Sequence, residues 1–140
     1  MRSSIPLNVN ITKSIIDQII QHARMEAPIE ACGYLAENDK VVSRIFRMKN
    51  VDASSEHFSF EPAEQFAVMR RMRAAGLRLS AVYHSHPASP ARPSPEDIRL
   101  ANDPSLSCVI VSLAEEPPVT KSFCIHKGQV TPETVTIVQD

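Results

Sequence analysis

Apolar residues recur every three or four positions in two stretches of the chain, and each stretch is predicted to be an amphipathic helix. The first runs from Thr12 to Ala27, with the Thr12 hydroxyl as N-cap and Pro28 beyond its end. The second runs from about Pro62 to Ala75, with Gly76 as its C-cap. On this second helix, three apolar residues are expected to share one side: Phe66, Met69 and Met72.

Shorter apolar runs bounded by polar or turn-forming residues predict strands. In chain order these runs are Gly33–Ala36, Val41–Met48, Arg78–His84, Cys108–Leu113, Val119–His126 and Val130–Val138. Residues 37–40 are expected to form a hairpin turn, residues 50–59 an irregular loop, and residues 94–102 a third, short helix. Helices and strands alternate first and strands accumulate later. This order favours an α/β fold with a mixed β-sheet flanked by helices, in a single domain over residues 1–140.

The composition gives no reason to expect nucleic acid or a membrane as a partner. The 140 residues are 43% hydrophobic, which is enough for one core, and the formal net charge is -1. A near-neutral chain with few aromatic residues and no tryptophan gives no reason to expect nucleic acid as a partner. No stretch approaches the roughly 18 apolar residues of a membrane span. The first residues do not resemble a signal peptide, so we expect no membrane partner and a cytoplasmic location.

The three cysteines, Cys32, Cys108 and Cys124, are too few and too widely spaced for a disulfide framework or a cysteine-rich zinc site. Cys108 and Cys124 lie within apolar runs, so we expect both in the core. Cys32 has two interpretations that the sequence leaves open. It is either a small buried strand residue or a redox-sensitive thiol near a functional site.

The strongest chemical signal is the pair His84 and His86, which ends a predicted strand and is followed by Pro87. Side chains two residues apart on a strand point to the same face and start roughly 6.5 Å apart, so two imidazoles there can share one metal ion. Zinc commonly binds histidine nitrogen together with carboxylate oxygen. The proline-rich loop that follows is stiff, and it can return the next helix to the strand end. Asp97 would then approach the histidines as a third ligand.

The segment from Ser94 to Asp97 also has a structural interpretation, because Ser-x-x-Asp is a capping box at the start of a helix. The two interpretations are compatible, since Ser94 can cap the helix while the Asp97 side chain turns to a metal. Three protein ligands would leave the fourth zinc position for water, as in catalytic sites. A base must then move a proton of that water, and spacing does not select it from the available carboxylates: Glu26, Glu30, Glu56 and Glu61.

The pattern His84-x-His86-x7-Ser94-x-x-Asp97 resembles the signature of the JAMM, or MPN+, zinc metalloproteases. The segment Pro28–Leu35 is similar to the glutamate segment of that family, and the similarity extends over most of the chain. The small size resembles the stand-alone prokaryotic branch. The resemblance implies a JAB1/MPN, cytidine-deaminase-like architecture. It also implies a zinc ion bound by His84, His86 and Asp97, Glu30 as general acid/base, and Ser94 as the residue that stabilises the tetrahedral intermediate.

The activity implied by the resemblance is hydrolysis of a peptide or isopeptide bond by zinc-activated water. The implied substrate is a ubiquitin-like or sulfur-carrier protein, cleaved after its C-terminal Gly-Gly tail, and residues 50–60 are a candidate wall for the groove that accepts this tail. Two alternatives stay open: a non-catalytic MPN-type interaction module, and a zinc amidohydrolase of a small molecule. An open groove would favour the protein tail, and a narrow closed pocket the small molecule. The sequence does not indicate an oligomeric state.

Overall fold

A mixed, seven-stranded β-sheet and three helices make up residues 7–140, the part of the chain that the computed structural model describes. The strands are β1 (Asn8–Thr12), β2 (Cys32–Asn38), β3 (Val41–Met48), β4 (Arg78–His86), β5 (Ser107–Ser112), β6 (Val119–His126) and β7 (Gln129–Val138). The helices are α1 (Lys13–Glu26), α2 (Pro62–Ala74) and α3 (Pro95–Leu100). Within residues 7–140, no helix has the length and apolar character needed to cross a membrane. Residues 1–6, on which the expectation about a signal peptide rests, lie outside the described residues.

The sheet closes into a barrel in the order β1-β3-β2-β4-β5-β6-β7. Closure depends on β1, which pairs in parallel with the second half of β7 and contacts β3 at Val42. This strand is not among those predicted, because Val9 and Ile11 are too few to establish a period and a helix follows at once. The pairs β1–β3, β1–β7 and β4–β5 are parallel and the others antiparallel, so the predicted mixed sheet is confirmed.

Helix α1 fills one side of this sheet, and its start is the predicted one. The Thr12 hydroxyl accepts a hydrogen bond from the backbone N–H of Ile15 at 3.2 Å. The core around the helix consists of Val9, Ile11, Ile15, Ile16, Ile19, Ala23, Leu35, Val42, Ala81, Tyr83, Val109 and Val111. Inside it, the Tyr83 hydroxyl lies 2.7 Å from Nδ1 of His22, and burial lowers the pKa of His22. His22 is therefore a hydrogen-bonded core residue.

Helix α2 packs on the opposite face, where it buries Val68 and Met72 beside Tyr34 and Phe46. The three apolar residues that are expected to share one side of this helix differ in their burial. Met72 is buried, but Phe66 is 66% exposed and Met69 39% exposed. Phe66 lies two residues before Val68, which is about 200° around a helix, so the two cannot face the same core. The buried residues of the helix, Val68 and Met72, are four positions apart and form a narrow stripe, although the helix carries further apolar residues.

Two local features set the position of β4. The β2–β3 hairpin turns at Asp39 and Lys40, whose φ angles are 52° and 66°. This turn is shorter than the predicted one over residues 37–40, and β2 is correspondingly longer than predicted. Strand β2 then pairs with β4 so that Gly33 lies opposite Tyr83. A Cβ atom on Gly33 would collide with the backbone oxygen of Phe46 and would lie 2.6 Å from Cε1 of Tyr83. Only glycine fits between these neighbours.

Candidate metal centre and active site

Strand β4 extends two residues beyond its predicted end, so both histidines lie within regular strand. Successive side chains alternate across a sheet, so His84 and His86 leave the face opposite the one that Tyr83 and α1 occupy. Both imidazoles are buried, with 2% and 5% of each residue exposed. The backbone oxygen of Pro90 lies 2.8 Å from Nδ1 of His86 and thereby directs Nε2 of this ring into the site.

The Asp97 side chain takes part in the capping box and also lies against the two histidines. It is the N3 residue of α3, where its N–H donates to the Ser94 hydroxyl at 3.0 Å and its Oδ2 accepts from the Ser94 N–H at 2.9 Å. The same Oδ2 lies 3.1 Å from Nε2 of His84 and 3.3 Å from Nε2 of His86. The capping box therefore holds the carboxylate against both imidazoles.

The three side chains present their ligand atoms to one point. The two Nε2 atoms of His84 and His86 are 3.1 Å apart, and Oδ2 of Asp97 completes the triangle. Two ligands each at about 2.0 Å from a tetrahedral zinc ion lie about 3.3 Å from one another. Spacing and donor types thus fit such an ion, and within the described residues this is the group of histidine, cysteine and acidic side chains that could hold a metal.

In this cluster the hydrogen bonds together outweigh burial in setting the pKa values of Asp97 and His86. Burial alone would raise the pKa of Asp97, yet hydrogen bonds from His84 and His86 hold it well below its usual range. Burial alone would lower the pKa of His86, but the hydrogen bonds to Asp97 and to the Pro90 oxygen raise it. The carboxylate is therefore ionised and available as a ligand at neutral pH.

Glu30 lies beside the cluster because its neighbour in the chain is bonded to β4. The Ala31 N–H donates to the Ser85 hydroxyl at 2.8 Å, and the Ser85 N–H donates to the Ala31 oxygen at 2.9 Å. Glu30 itself is only 3% exposed, and its Oε1 has no hydrogen-bond partner among residues 7–140. Burial raises the pKa of this carboxyl from 4.5 to about 8. Glu30 is thus a buried carboxyl group that holds its proton more firmly than usual and lies close enough to His86 and Asp97 to interact with their charges.

A cavity of about 410 Å³ extends from the cluster between α2, α3 and the loop before α2. Its wall includes His84 and Asp97 from the cluster, and its rim includes Met69 and Leu100, which are 39% and 56% exposed. The cavity therefore opens at the protein surface. Other lining residues are mainly apolar or aromatic and include Tyr34, Phe58, Phe60, Leu79, Val82, Leu106 and Cys108.

Three residues at the site make contacts that the sequence does not indicate. Phe58 packs its ring over His84, with 4.9 Å between ring centroids. Ser85 tethers the Glu30 segment to β4 from the strand position between the two histidines. Asn50 is buried and bonded to the backbone of Glu30. Each acts through contacts with residues far away in the chain, so a linear pattern could not reveal them.

Cys32 is a structural residue. It is fully buried opposite His84 in the β2–β4 pair, and its thiol lies 3.8 Å from the backbone oxygen of Met48. Burial raises the pKa of the thiol to about 12. A thiol with this pKa is almost entirely protonated at neutral pH and therefore a poor nucleophile. These properties favour the first of the two interpretations of Cys32.

Comparison with known proteins adds the family. A family model described as prokaryotic homologs of the JAB domain matches residues 12–125. The CysO-cysteine peptidase of Mycobacterium tuberculosis is 34% identical over 132 residues, which cover 92% of this chain and 90% of that protein. A probable TtuB-protein conjugate cleaving protease of Thermus thermophilus is 33% identical over 92 residues, which cover 65% of this chain and 62% of that protein.

Solved structures agree with this assignment. The solution structure of protein DSY2949 from Desulfitobacterium hafniense matches with a TM-score of 0.86 at 44% identity and covers 94% of each chain. The crystal structure of AF2198, a JAB1/MPN domain protein from Archaeoglobus fulgidus, matches with a TM-score of 0.63 at 20% identity. It covers 92% of this chain and 98% of that one, and it confirms the predicted JAB1/MPN fold. This chain therefore belongs to the prokaryotic branch of the JAMM/MPN family and is a hydrolytic peptidase or isopeptidase.

Proposed function

We propose that this peptidase binds one zinc ion through His84, His86 and Asp97 and hydrolyses an amide bond at the C-terminal tail of a ubiquitin-like or sulfur-carrier protein. The main support is the convergence of three ligand atoms within 3.1–3.3 Å of one another, beside the unpaired carboxyl oxygen of Glu30. A bound zinc ion would polarise the scissile carbonyl and acidify a water molecule.

Glu30 is the general base and then the general acid of the proposed reaction. Burial raises the pKa of its carboxyl to about 8 in the metal-free protein, and a zinc ion bound beside it would favour the ionised form that accepts a proton. Oε1 has no competing partner within residues 7–140, so it can accept a proton from the attacking water. The protonated carboxyl then donates to the nitrogen of the leaving amine. The proton that Glu30 takes from the water is thus the one that it gives to the leaving amine, and no covalent intermediate is required.

Ser94 stabilises the oxyanion in the same proposal. Its oxygen accepts a hydrogen bond from the Asp97 N–H at 3.0 Å, which fixes the hydroxyl at the start of α3. Acceptance of that bond leaves the hydroxyl proton for a substrate oxygen. A donor held in place before the reaction begins stabilises the developing charge without reorganisation during the reaction.

The substrate class is inferred from the cavity and from the names of the relatives. Two relatives are named for cleavage at CysO and at TtuB conjugates. The cavity beside the cluster opens at the surface, which suits an extended tail that enters from solvent. A volume of about 410 Å³ also suits a small molecule, so a zinc amidohydrolase remains the second candidate. A non-catalytic module would gain nothing from a buried, unpaired carboxyl at Glu30.

The metal is tested first. Protein purified without added metal should contain about one zinc ion per chain by elemental analysis, as expected for a single three-ligand site. The variant His86→Ala should lose the zinc, because it removes one ligand. The matched variant His126→Ala should retain it, because His126 lies outside the cluster. Protein that takes up no zinc, or His86→Ala that retains it fully, would contradict the proposed site.

The reaction is tested with carrier proteins that bear an amino acid or a short peptide after the terminal Gly-Gly. We expect wild type to remove the extension and Glu30→Gln to do so 10²–10⁴-fold more slowly, as is typical when a general acid/base is lost. Glu56→Gln is the matched control, because it removes a nearby exposed carboxylate with the same change in charge. Equal rates for wild type and Glu30→Gln would remove Glu30 from this role. Hydrolysis of small acylated amino acids without cleavage of any carrier would favour the amidohydrolase.

A further inference from the structure

The loop between β3 and α2 is organised around the side chain of Asn50, which is 5% exposed. Its Nδ2 donates to the backbone oxygens of Glu30 at 3.1 Å and His57 at 3.0 Å. Its Oδ1 accepts from the backbone N–H groups of Asp52 at 3.1 Å and Ser59 at 3.4 Å. One planar amide thus supplies both donors and acceptors, and this set of contacts is called the Asn50 hub below.

The Asn50 hub holds the backbone of Glu30 on its loop side. The oxygen of Glu30 accepts from Asn50, and the N–H of Glu30 donates to the backbone oxygen of Ser54 at 2.9 Å. On the other side, Ala31 is bonded to Ser85 of β4 in both directions. The backbone of Glu30 is therefore held between the loop and the strand that carries the two histidines, and this sets the point from which its side chain starts.

The same loop reaches the candidate metal ligands directly. Phe58 follows the hub residue His57 and packs over His84 at a centroid distance of 4.9 Å and an interplanar angle of 31°. His57, Phe58 and Ser59 also line the cavity. One buried amide thus fixes the base, the ring that covers a metal ligand, and the cavity wall relative to one another.

We propose that Asn50 is a positioning residue for hydrolysis, which sets the placement of the Glu30 carboxyl relative to His84 and His86. This inference rests on the role proposed for Glu30. Removal of the amide leaves the buried oxygen of Glu30 and the part-buried oxygen of His57 without this donor, so the Glu30 backbone relaxes toward a different position. A displacement of about 1 Å at a reacting group can lower a rate about 10²-fold.

Two substitutions test the placement. We expect Asn50→Ala to lower kcat by about 10–10²-fold while the zinc content and the fold, measured by circular dichroism, remain those of wild type. Asn50→Gln retains the amide but moves it by one methylene group, so it should also lower kcat and serves if Asn50→Ala fails to fold. Ser55→Ala is the matched control, because Ser55 is an exposed residue of the same loop that lies outside the hub, and we expect it to leave kcat within about threefold.

A double-mutant cycle separates positioning from a general structural role. If Asn50 acts through Glu30, Asn50→Ala should lower kcat much less in the Glu30→Gln background than in wild type, because the group being placed is already lost. Equal fold losses in the two backgrounds would overturn the inference. So would full wild-type kcat in both Asn50→Ala and Asn50→Gln.

Amide hydrogen exchange gives a readout that does not require activity. The Glu30 N–H is bonded to Ser54 within the loop, whereas the Ala31 N–H is bonded to Ser85 on β4. We expect Asn50→Gln or Asn50→Ala to accelerate exchange at Glu30 about tenfold or more and to leave Ala31 unchanged. Unchanged exchange at Glu30 would overturn the inference, even if wild type cleaves carriers. A wild type that cleaves no carrier counts against the proposed function instead, and the exchange result still decides the role of Asn50.

Discussion

Glu30→Gln should make the metal-free protein more resistant to unfolding at alkaline pH than wild type. The carboxyl of Glu30 is 3% exposed, and its Oε1 has no hydrogen-bond partner within residues 7–140. Ionisation of a carboxyl in that position is unfavourable in the folded state and ordinary in the unfolded state. Glutamine has nearly the same shape as glutamate and does not ionise. The substitution therefore removes the unfavourable free energy of ionising a buried carboxyl and retains the packing.

The size of the effect follows from the two pKa values. Burial raises the pKa of Glu30 from 4.5 to about 8 in the folded protein. Between these values the folded state binds more protons at this position than the unfolded state. The free energy of unfolding therefore falls as pH rises, by about 1.4 kcal/mol per pH unit. Two units separate pH 6 from pH 8, which gives a loss of roughly 2–3 kcal/mol, with little further change above pH 8.

Urea unfolding of metal-free protein at pH 6 and pH 9 measures this difference. Wild type should lose about 2–3 kcal/mol more free energy of unfolding between the two pH values than Glu30→Gln does. Other groups titrate in both proteins, so their contributions cancel in the comparison. Glu56→Gln removes an exposed carboxylate and should follow wild type. Equal pH dependence of wild type and Glu30→Gln would refute the argument that burial makes ionised Glu30 costly.

Three further substitutions or treatments test other parts of the structure. Gly33→Ala should destabilise the fold by about 2–3 kcal/mol or more, because the Cβ atom of the alanine would lie 2.6 Å from Cε1 of Tyr83. Thermal melts measure this loss, and an unchanged melting temperature would contradict the contact. Ser94→Ala should lose about 1 kcal/mol of stability, because it removes the helix cap, and about 10²-fold in kcat, because it removes the proposed oxyanion donor. A loss of stability without a loss of kcat would leave Ser94 as a cap only. Iodoacetamide should leave Cys32 unmodified in native protein, because burial raises the pKa of this thiol to about 12. Mass spectrometry measures the modification, and rapid alkylation would contradict a structural role for Cys32.

Local patterns predicted the parts of the site that are close together in the chain. His84 and His86 lie on one strand, whose period of two puts them on the same face. Ser94 and Asp97 lie within one helical turn, so the capping box could be recognised from four residues. That pattern could not show that Asp97 also reaches the histidines, because this contact depends on the path of the intervening loop.

Features that depend on distant parts of the chain could not be predicted in this way. Glu30 is 54 positions from His84, and only the family resemblance distinguished it from the other carboxylates. Strand β1 gains its stability from β7 at the other end of the chain, so its own five residues carry too weak a signal. Phe66 was predicted to share one side of α2 with Met69 and Met72, but the exposure of each residue on α2 is set by the position of the sheet beneath Val68.

The unpaired oxygen of Glu30 has an evolutionary consequence. Asp97 contributes to folding as well as to the site, because its side chain completes the cap of α3. Glu30 contributes nothing comparable through its carboxyl, which destabilises the fold whenever it is ionised. In a lineage released from selection for hydrolysis, a neutral residue at position 30 would be favoured early, whereas Asp97 would persist. With the role proposed for Glu30, a glutamate at this position is therefore a better marker of an active relative than the aspartate is.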